Sequence, residues 1–236
     1  MEAGGILIGT MKISVIIPTF NEELTIEKLI KTLKPLDGKC EILFVDGGST
    51  DKTLEIIGDK YPVIIYEKGR AKQMNAGAKN STGDVLFFLH CDSEVPSTAL
   101  EEIQEVMSDF RVGCFGIAFH SWHFFMWTCR WVSNHRAKIR RIIFGDQGLF
   151  IERELFFELG MFPDIPIMED YQFSLTLKET EIKTGMTRNR IYTSDRRFEG
   201  NTFEKLRVMW HMHRLRPYYR RGMDIRKIAE QYADKR

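Results

Sequence analysis

The chain has 236 residues, 43% of them hydrophobic and 28% charged, with a formal net charge of +1. That is enough apolar material for one compact α/β domain with an appendage, leaves no room for two equal domains, and argues against a nucleic-acid binder. The charge is uneven: residues 186–236 carry 14 Lys and Arg against 6 Asp and Glu, a local net of +8, so this end is where phosphates or an anionic surface would be met.

In chain order, short β-rich runs alternate with helical segments: Ile13–Ile17, then Glu22–Leu33, Glu41–Val45, Asp51–Tyr61, Val63–Tyr66, Ala71–Asn80 and Val85–Leu89. Strand and helix at this spacing predict a parallel sheet with helices on both faces. Val85–Leu89 is short, apolar and aromatic, as expected of a strand buried on both sides. Thr98 with Glu101 reads as a capping box opening a helix through Met107, and Val112–Phe119 as a further strand. The regular alternation then stops. Trp122–Trp131 is crowded with aromatics and Arg136–Arg141 is basic. Gly145–Ile151 reads as a strand, Met168–Lys178 as a helix and Ile225–Tyr232 as a terminal helix.

Residues 1–11 read as a leader or tag, with Met11 a candidate natural start, because Met1–Thr10 lack the basic start and apolar stretch of a signal peptide. No segment reaches the roughly 18 uninterrupted apolar residues of a spanning helix. The four cysteines, Cys40, Cys91, Cys114 and Cys129, form no C-x-x-C pair. This argues against a zinc site or a disulfide framework and favours a reducing, cytoplasmic compartment.

The polar residues gather after the strands, in Thr19-Phe20-Asn21-Glu22, Asp46-Gly47-Gly48-Ser49-Thr50-Asp51 and His90-Cys91-Asp92-Ser93. All three loops fall at the carboxyl edge of the predicted sheet, where open α/β folds bind nucleotides. Glu22 and Asp46 could accept from base N–H and ribose hydroxyls there, or serve only as a first-turn helix acid and a turn former. Arg70 lies in a glycine-flanked loop before a helix and could pair with a phosphate or the base. No G-x-G-x-x-G fingerprint and no complete P-loop occurs. Asp92, at the end of the fourth strand, is the candidate metal ligand.

Pro18-Thr19-Phe20-Asn21-Glu22, Val45-Asp46-Gly47-Gly48-Ser49-Thr50-Asp51, the Asp92 strand end and Glu169-Asp170 occur in the order and spacing of family 2 glycosyltransferases, which the chain resembles from Lys12 to about Arg197. Gly69–Gly77 and Gly145-Asp146-Gln147-Gly148 are similar to a bacterial subgroup whose acceptors are mostly unassigned. The resemblance implies a GT-A fold, a Rossmann-like, mostly parallel sheet flanked by helices, with a nucleotide-binding half at 12–95, an acceptor half at 96–200 and a basic C-terminal helical tail at 201–236. It implies an inverting, metal-dependent transfer of a sugar from a nucleoside-diphosphate sugar to a hydroxyl acceptor, lipid-linked or otherwise. Pro18, Thr19, Glu22, Asp46, Arg70 and Gln73 would then meet the nucleotide. Asp92 with His90 would hold a divalent cation, Mn²⁺ or Mg²⁺, although His90 stands where the family usually has the first Asp of Asp-x-Asp. Asp170 would be the base and Glu169 its supporting acid; read alone, the pair is equally two N-terminal acids favoured by a helix dipole. Asp146 and Gln147 would face the donor sugar or acceptor, or form a simple turn. Arg196 and Arg197, with Arg188 and Arg190, would close over the diphosphate.

Two other classes share these features: a nucleotide-sugar-binding protein without turnover, and a nucleotidyltransferase releasing pyrophosphate. The aromatics Trp122, Phe124, Phe125, Trp127 and Trp131 beside Arg136, Lys138, Arg140 and Arg141 read either as helix core or as a peripheral membrane contact at the inner face.

Overall fold

The computed structural model describes residues 11–121, 123–193, 210 and 214–233. The strands are β1 (Ile13–Thr19), β2 (Glu41–Asp46), β3 (Val63–Ile65), β4 (Val85–Phe88), β5 (Ser93–Glu94), β6 (Val112–Ala118), β7 (Leu149–Glu152) and β8 (Gly185–Thr193). They form one sheet in the order β3-β2-β1-β4-β7-β6-β8-β5. From β3 to β4 every neighbour is parallel. The direction then reverses at β7, which is antiparallel to both β4 and β6, while β6 and β8 run parallel and β5 closes the far edge antiparallel to β8.

The helices are α1 (Ile26–Leu33), α2 (Thr53–Ile57), α3 (Arg70–Asn80), α4 (Ala99–Met107), α5 (Phe124–Arg140), α6 (Arg153–Glu158) and α7 (Glu169–Glu179), with a terminal helix at Ile225–Ala233. Alternate residues of the central strands feed two separate cores. Val15, Ile17, Phe44 and Phe87 pack with Ile26, Leu29 and Leu33 of α1. Ile16, Val45, Leu86 and Phe88 pack on the other side with Met74 and Ala78 of α3 and with Phe156, Phe162 and Phe173. This period-two division is why β1, β2 and β4 read as unbroken apolar runs.

Three expectations need correction. Thr98 does not cap α4 through a box with Glu101; its hydroxyl donates to Glu102 at 2.7 Å, and Glu102 in turn accepts from Asn189 of β8. The segment Gly145–Ile151 is not one strand: Gly145–Gln147 is a 3₁₀ turn, and β7 starts only at Leu149. Gly148 makes the junction, at φ +55°, where an added Cβ would lie 2.4 Å from Ile191 Cδ1, so both its conformation and its closeness to β8 demand glycine. The third is β8, which carries no apolar run and was not expected. Its Arg188 is committed to Glu105 of α4 rather than to a diphosphate.

Past the end of α7, Glu181 is exposed and sits at φ +57°, the left-handed position where helices prefer glycine. Glu181→Gly is expected to stabilise the fold by about 0.5–1 kcal/mol, raising the melting temperature by about 2–4 °C in a thermal scan.

Candidate active site

The loops after β1 and β2 are fastened to each other before any ligand is considered. Asn21, at φ +53°, donates from its backbone N–H to Ser49 Oγ at 2.9 Å and accepts from Thr50 N–H at 2.8 Å. Glu22 and Glu23 N–H donate to Thr53 Oγ1 and Asp51 Oδ2. The Asp46 carboxylate is fully buried and accepts from the N–H of Gly48 and Ser49 and from the hydroxyls of Ser49 and Thr19. Gln73, reaching down from α3, donates its amide to the carbonyls of Thr19 and Val45, each at 2.7 Å, across the β1–β2 seam. Thr19, Asp46 and Gln73 are therefore turned onto the protein itself, and in this arrangement they shape the edge instead of presenting side chains to it. Glu22 stays half-buried beside them.

Next along the edge, the β4 strand delivers His90, Cys91 and Asp92. Cys91 Sγ donates to the carbonyl of Pro18 at 3.2 Å, tying this loop to β1. Burial, and after it the charges of Glu22, Asp92 and Asp46, push the Cys91 thiol far above its usual range. His90 lies against Gly145. A Cβ built on Gly145 would stand 2.5 Å from His90 Nε2 and 3.5 Å from Asp170 Oδ2, so the two groups flank one glycine.

Asp170 is held by backbone N–H groups on both oxygens: Gly145 N–H donates to Oδ2 at 2.8 Å and Tyr171 N–H to Oδ1 at 2.6 Å. Glu169 opens α7 directly after Met168, whose φ is +69°, and Asp170 follows it, so both acids lie in the first turn. Glu169 is 1% exposed and its carboxylate is paired with Arg70 Nε of α3. Burial raises the Glu169 pKa, and Arg70 opposes that rise. Arg70, expected at a phosphate or base, thus spans from the nucleotide half to the carboxylate pair. Because the Gly145 site has no space for a side chain, Gly145→Ala is expected to displace the His90 ring and cut turnover by about 10²-fold, with the melting temperature of the protein read alongside.

Arg136 was read only as one of a basic run, yet it is buried on the inner side of α5. Its Nε donates to the Ile142 carbonyl at 3.2 Å, its Nη2 to Gln147 Oε1 at 2.9 Å, and its guanidinium lies 3.9 Å over the Phe144 ring. Arg216 covers the same ring at 4.7 Å. Burial lowers Arg136 to about 10 against the pull of Asp146, and lowers Arg216 against Tyr171, Asp146 and Asp170. Two guanidiniums and two carboxylates thus frame the Gly145–Gln147 turn. Gln147 Nε2 is buried with no hydrogen-bond partner among the described residues. The signal for Arg136 was available: Met126, Cys129, Arg136 and Ala137 recur at helical spacing on one buried face. Arg196 and Arg197 lie outside the described residues.

Among the described residues no three His, Cys, Asp or Glu side chains gather closely enough to cage a metal. A cation that takes one or two protein ligands and completes its shell on a substrate's phosphates needs no such cage.

A sheet parallel from β3 to β4, continued through the reversed β7 and flanked by helices, is the architecture of GT-A glycosyltransferases. TarS of S. aureus in complex with UDP-GlcNAc superposes with a TM-score of 0.65 at 19% identity, covering 95% of this chain and 72% of that one. PcManGT, a mannosyltransferase from Pyrobaculum calidifontis in complex with GDP-Man and Mn²⁺, gives a TM-score of 0.65 at 17% identity over 97% of this chain and 74% of that one. Residues 14–161 match the profile of Glycosyl transferase family 2, and the chain belongs to that family. The dolichol-phosphate mannosyltransferase of Pyrococcus furiosus is 35% identical over 115 residues, 44% of this chain and 33% of that protein. The GalNAc(5)-diNAcBac-PP-undecaprenol beta-1,3-glucosyltransferase of Campylobacter jejuni is 30% identical over 115 residues, 44% and 37% respectively. The aligned part therefore spans about a third of the length of these curated relatives.

Proposed function

We propose that this family 2 glycosyltransferase moves a sugar from a nucleoside-diphosphate donor to a hydroxyl acceptor with inversion at the anomeric carbon. The observation that carries the reading is the meeting of His90 and Asp170 across Gly145, which sets the candidate cation ligand and the candidate base on opposite sides of one narrow point. The loops after β1, β2 and β4 receive the nucleotide. Asp170 removes the acceptor hydroxyl's proton as that oxygen bonds to the sugar carbon and the bond from carbon to diphosphate oxygen breaks, releasing the nucleoside diphosphate. Glu169, fixed by Arg70, keeps the start of α7 in place, and Asp146 faces the sugar or acceptor beside it. Asp92, with His90, would hold a divalent cation, whose charge when bound would neutralise the leaving diphosphate.

Mn²⁺ accepts an imidazole nitrogen more readily than Mg²⁺ does, so activity is expected to be at least as high with Mn²⁺. Activity supported by Mg²⁺ alone would remove His90 from the ligand set. A lipid-linked acceptor is supported by the lipid-linked substrates in the names of the P. furiosus and C. jejuni relatives. No helix among the described residues is long and apolar enough to cross a membrane.

The test is a thermal-shift panel of nucleoside diphosphates and their sugars with and without Mn²⁺, followed by product analysis. One nucleoside diphosphate should raise the melting temperature and appear as the product. Release of pyrophosphate would identify a nucleotidyltransferase, and binding without any transfer would identify a nucleotide-sugar-binding protein.

A further inference from the structure

Helix α5 has two unlike faces. The inner one, with Met126, Cys129, Arg136 and Ala137, is buried, and its Arg136 reaches Gln147 of the Gly145–Gln147 turn. On the outer one Phe124, Trp127, Trp131 and Ile139 are 75%, 57%, 57% and 62% exposed. Their spacing puts them on one side of the helix. Phe124 stacks on Trp127 with centroids 6.0 Å apart and Trp131 on His135 at 5.1 Å, so two stacked ring pairs line one side of the helix instead of scattered single aromatics. The sequence reading of helix core holds for Phe125, which is buried, and fails for these residues.

The charge around these rings has one sign. No Asp or Glu occurs anywhere in α5, while Arg130, Lys138 and Arg140 border its outer face. At the C-terminal end of the helix, Ile139 joins Arg140, Arg141, Lys178, Glu181 and Lys183 around an open groove of about 610 Å³, four cations against one carboxylate. Arg190 of β8 lies close enough to Arg130 for the two positive charges to oppose each other. Large aromatics on one side, cations beside them and no acid along the helix match the boundary between acyl chains and anionic headgroups.

We propose that α5 lays its outer face on the surface of an anionic phospholipid bilayer, with Phe124, Trp127, Trp131 and Ile139 entering the headgroup boundary and the basic groove at Arg140 and Lys183 meeting a lipid phosphate. The proposal rests on the lipid-linked reading of the acceptor for its purpose, since the opposite face of the same helix supports the turn that anchors Asp170.

The experiment is co-sedimentation of the full chain, at low salt, with phosphatidylcholine vesicles containing or lacking phosphatidylglycerol. Binding is expected only with phosphatidylglycerol, weakening as salt rises, with a blue shift of tryptophan emission. Trp127→Ser combined with Trp131→Ser should weaken vesicle binding at least about tenfold, and Lys138→Glu combined with Arg140→Glu should weaken it as well. Both variants alter exposed side chains and should keep the parent melting temperature and the thermal shift with nucleoside diphosphate. No binding to phosphatidylglycerol vesicles, equal binding by the tryptophan variant, or a dimer in solution that the same variant dissociates would each overturn the proposal. A retained nucleotide shift in those cases would leave the glycosyltransferase reading standing, whereas vesicle binding without any nucleotide shift would overturn that reading and keep this surface.

Discussion

Asp170→Asn is expected to lower kcat by about 10²–10⁴-fold while the donor's KM and its thermal shift stay as in the parent. The asparagine still offers an oxygen to the Gly145 or Tyr171 N–H that hold the carboxylate at 2.8 and 2.6 Å, so the turn and α7 keep their places. What disappears is the capacity to take a proton from the acceptor. Asp170→Ala should cost stability as well, because it also removes the acceptor of the Gly145 N–H. Initial rates over a range of acceptor and donor concentrations, with melting curves of each variant, check the result. Parent-level turnover by Asp170→Asn would show that the base lies elsewhere.

The second large effect is on stability. Arg70→Met leaves the carboxylate of Glu169, 1% exposed, without the cation it is paired with, and is expected to cost about 3–5 kcal/mol. The cost should depend on pH in a defined direction. Burial raises the Glu169 pKa in the folded protein above its unfolded value, so its contribution is complete below the unfolded pKa and is lost as pH rises through the folded one. Arg70 is what limits that rise. Without it the folded pKa moves further up, and the variant should lose stability relative to the parent more steeply between about pH 5 and about pH 8. Arg70→Met combined with Glu169→Gln should recover much of the loss, since no buried charge then remains to be compensated. Denaturant titrations at both ends of that range measure it; a deficit that does not vary with pH would place the Arg70 contribution in packing.

β1, β2 and β4 were legible because they are buried on both faces and are mostly apolar, and the half-buried edge strand β3 because it is a short apolar run, with helices at regular intervals between them. β8 was hidden by its composition. Arg188, Asn189 and Arg190 sit in its middle, its register on β6 shifts between Cys114 and Gly116, and its Arg188 and Asn189 are satisfied by Glu105 and Glu102 of α4, a relation no local pattern contains. β5, two residues long, falls below what periodicity can register.

At the candidate site, the family resemblance singled out Asp170, Glu169, His90 and the Gly145 turn, and the fold brings His90, Gly145 and Asp170 close together. Direction was the missing quantity. Asp46 and Gln73 have the chemistry to bind a nucleotide, yet their hydrogen bonds go to Gly48, Ser49, Thr19 and Val45 of the protein. Arg136 escaped because a basic run looks solvated in a linear reading, and only the helical turn separates it from Lys138 and Arg140, which face out.

The reversal of direction at β7 has a consequence for biosynthesis. β4 lies between β1 and β7, so while the ribosome has produced only the first four strands, the Val85–Phe88 ladder has one side without a neighbour. That edge waits for Phe150 to Glu152, more than sixty positions later in synthesis. Until then the growing polypeptide displays an adhesive border of the kind chaperones shield. A fragment ending near residue 95 would inherit the same exposed ladder permanently. The β4 edge is therefore completed only when β7 has been made, and the first half alone would not close its sheet.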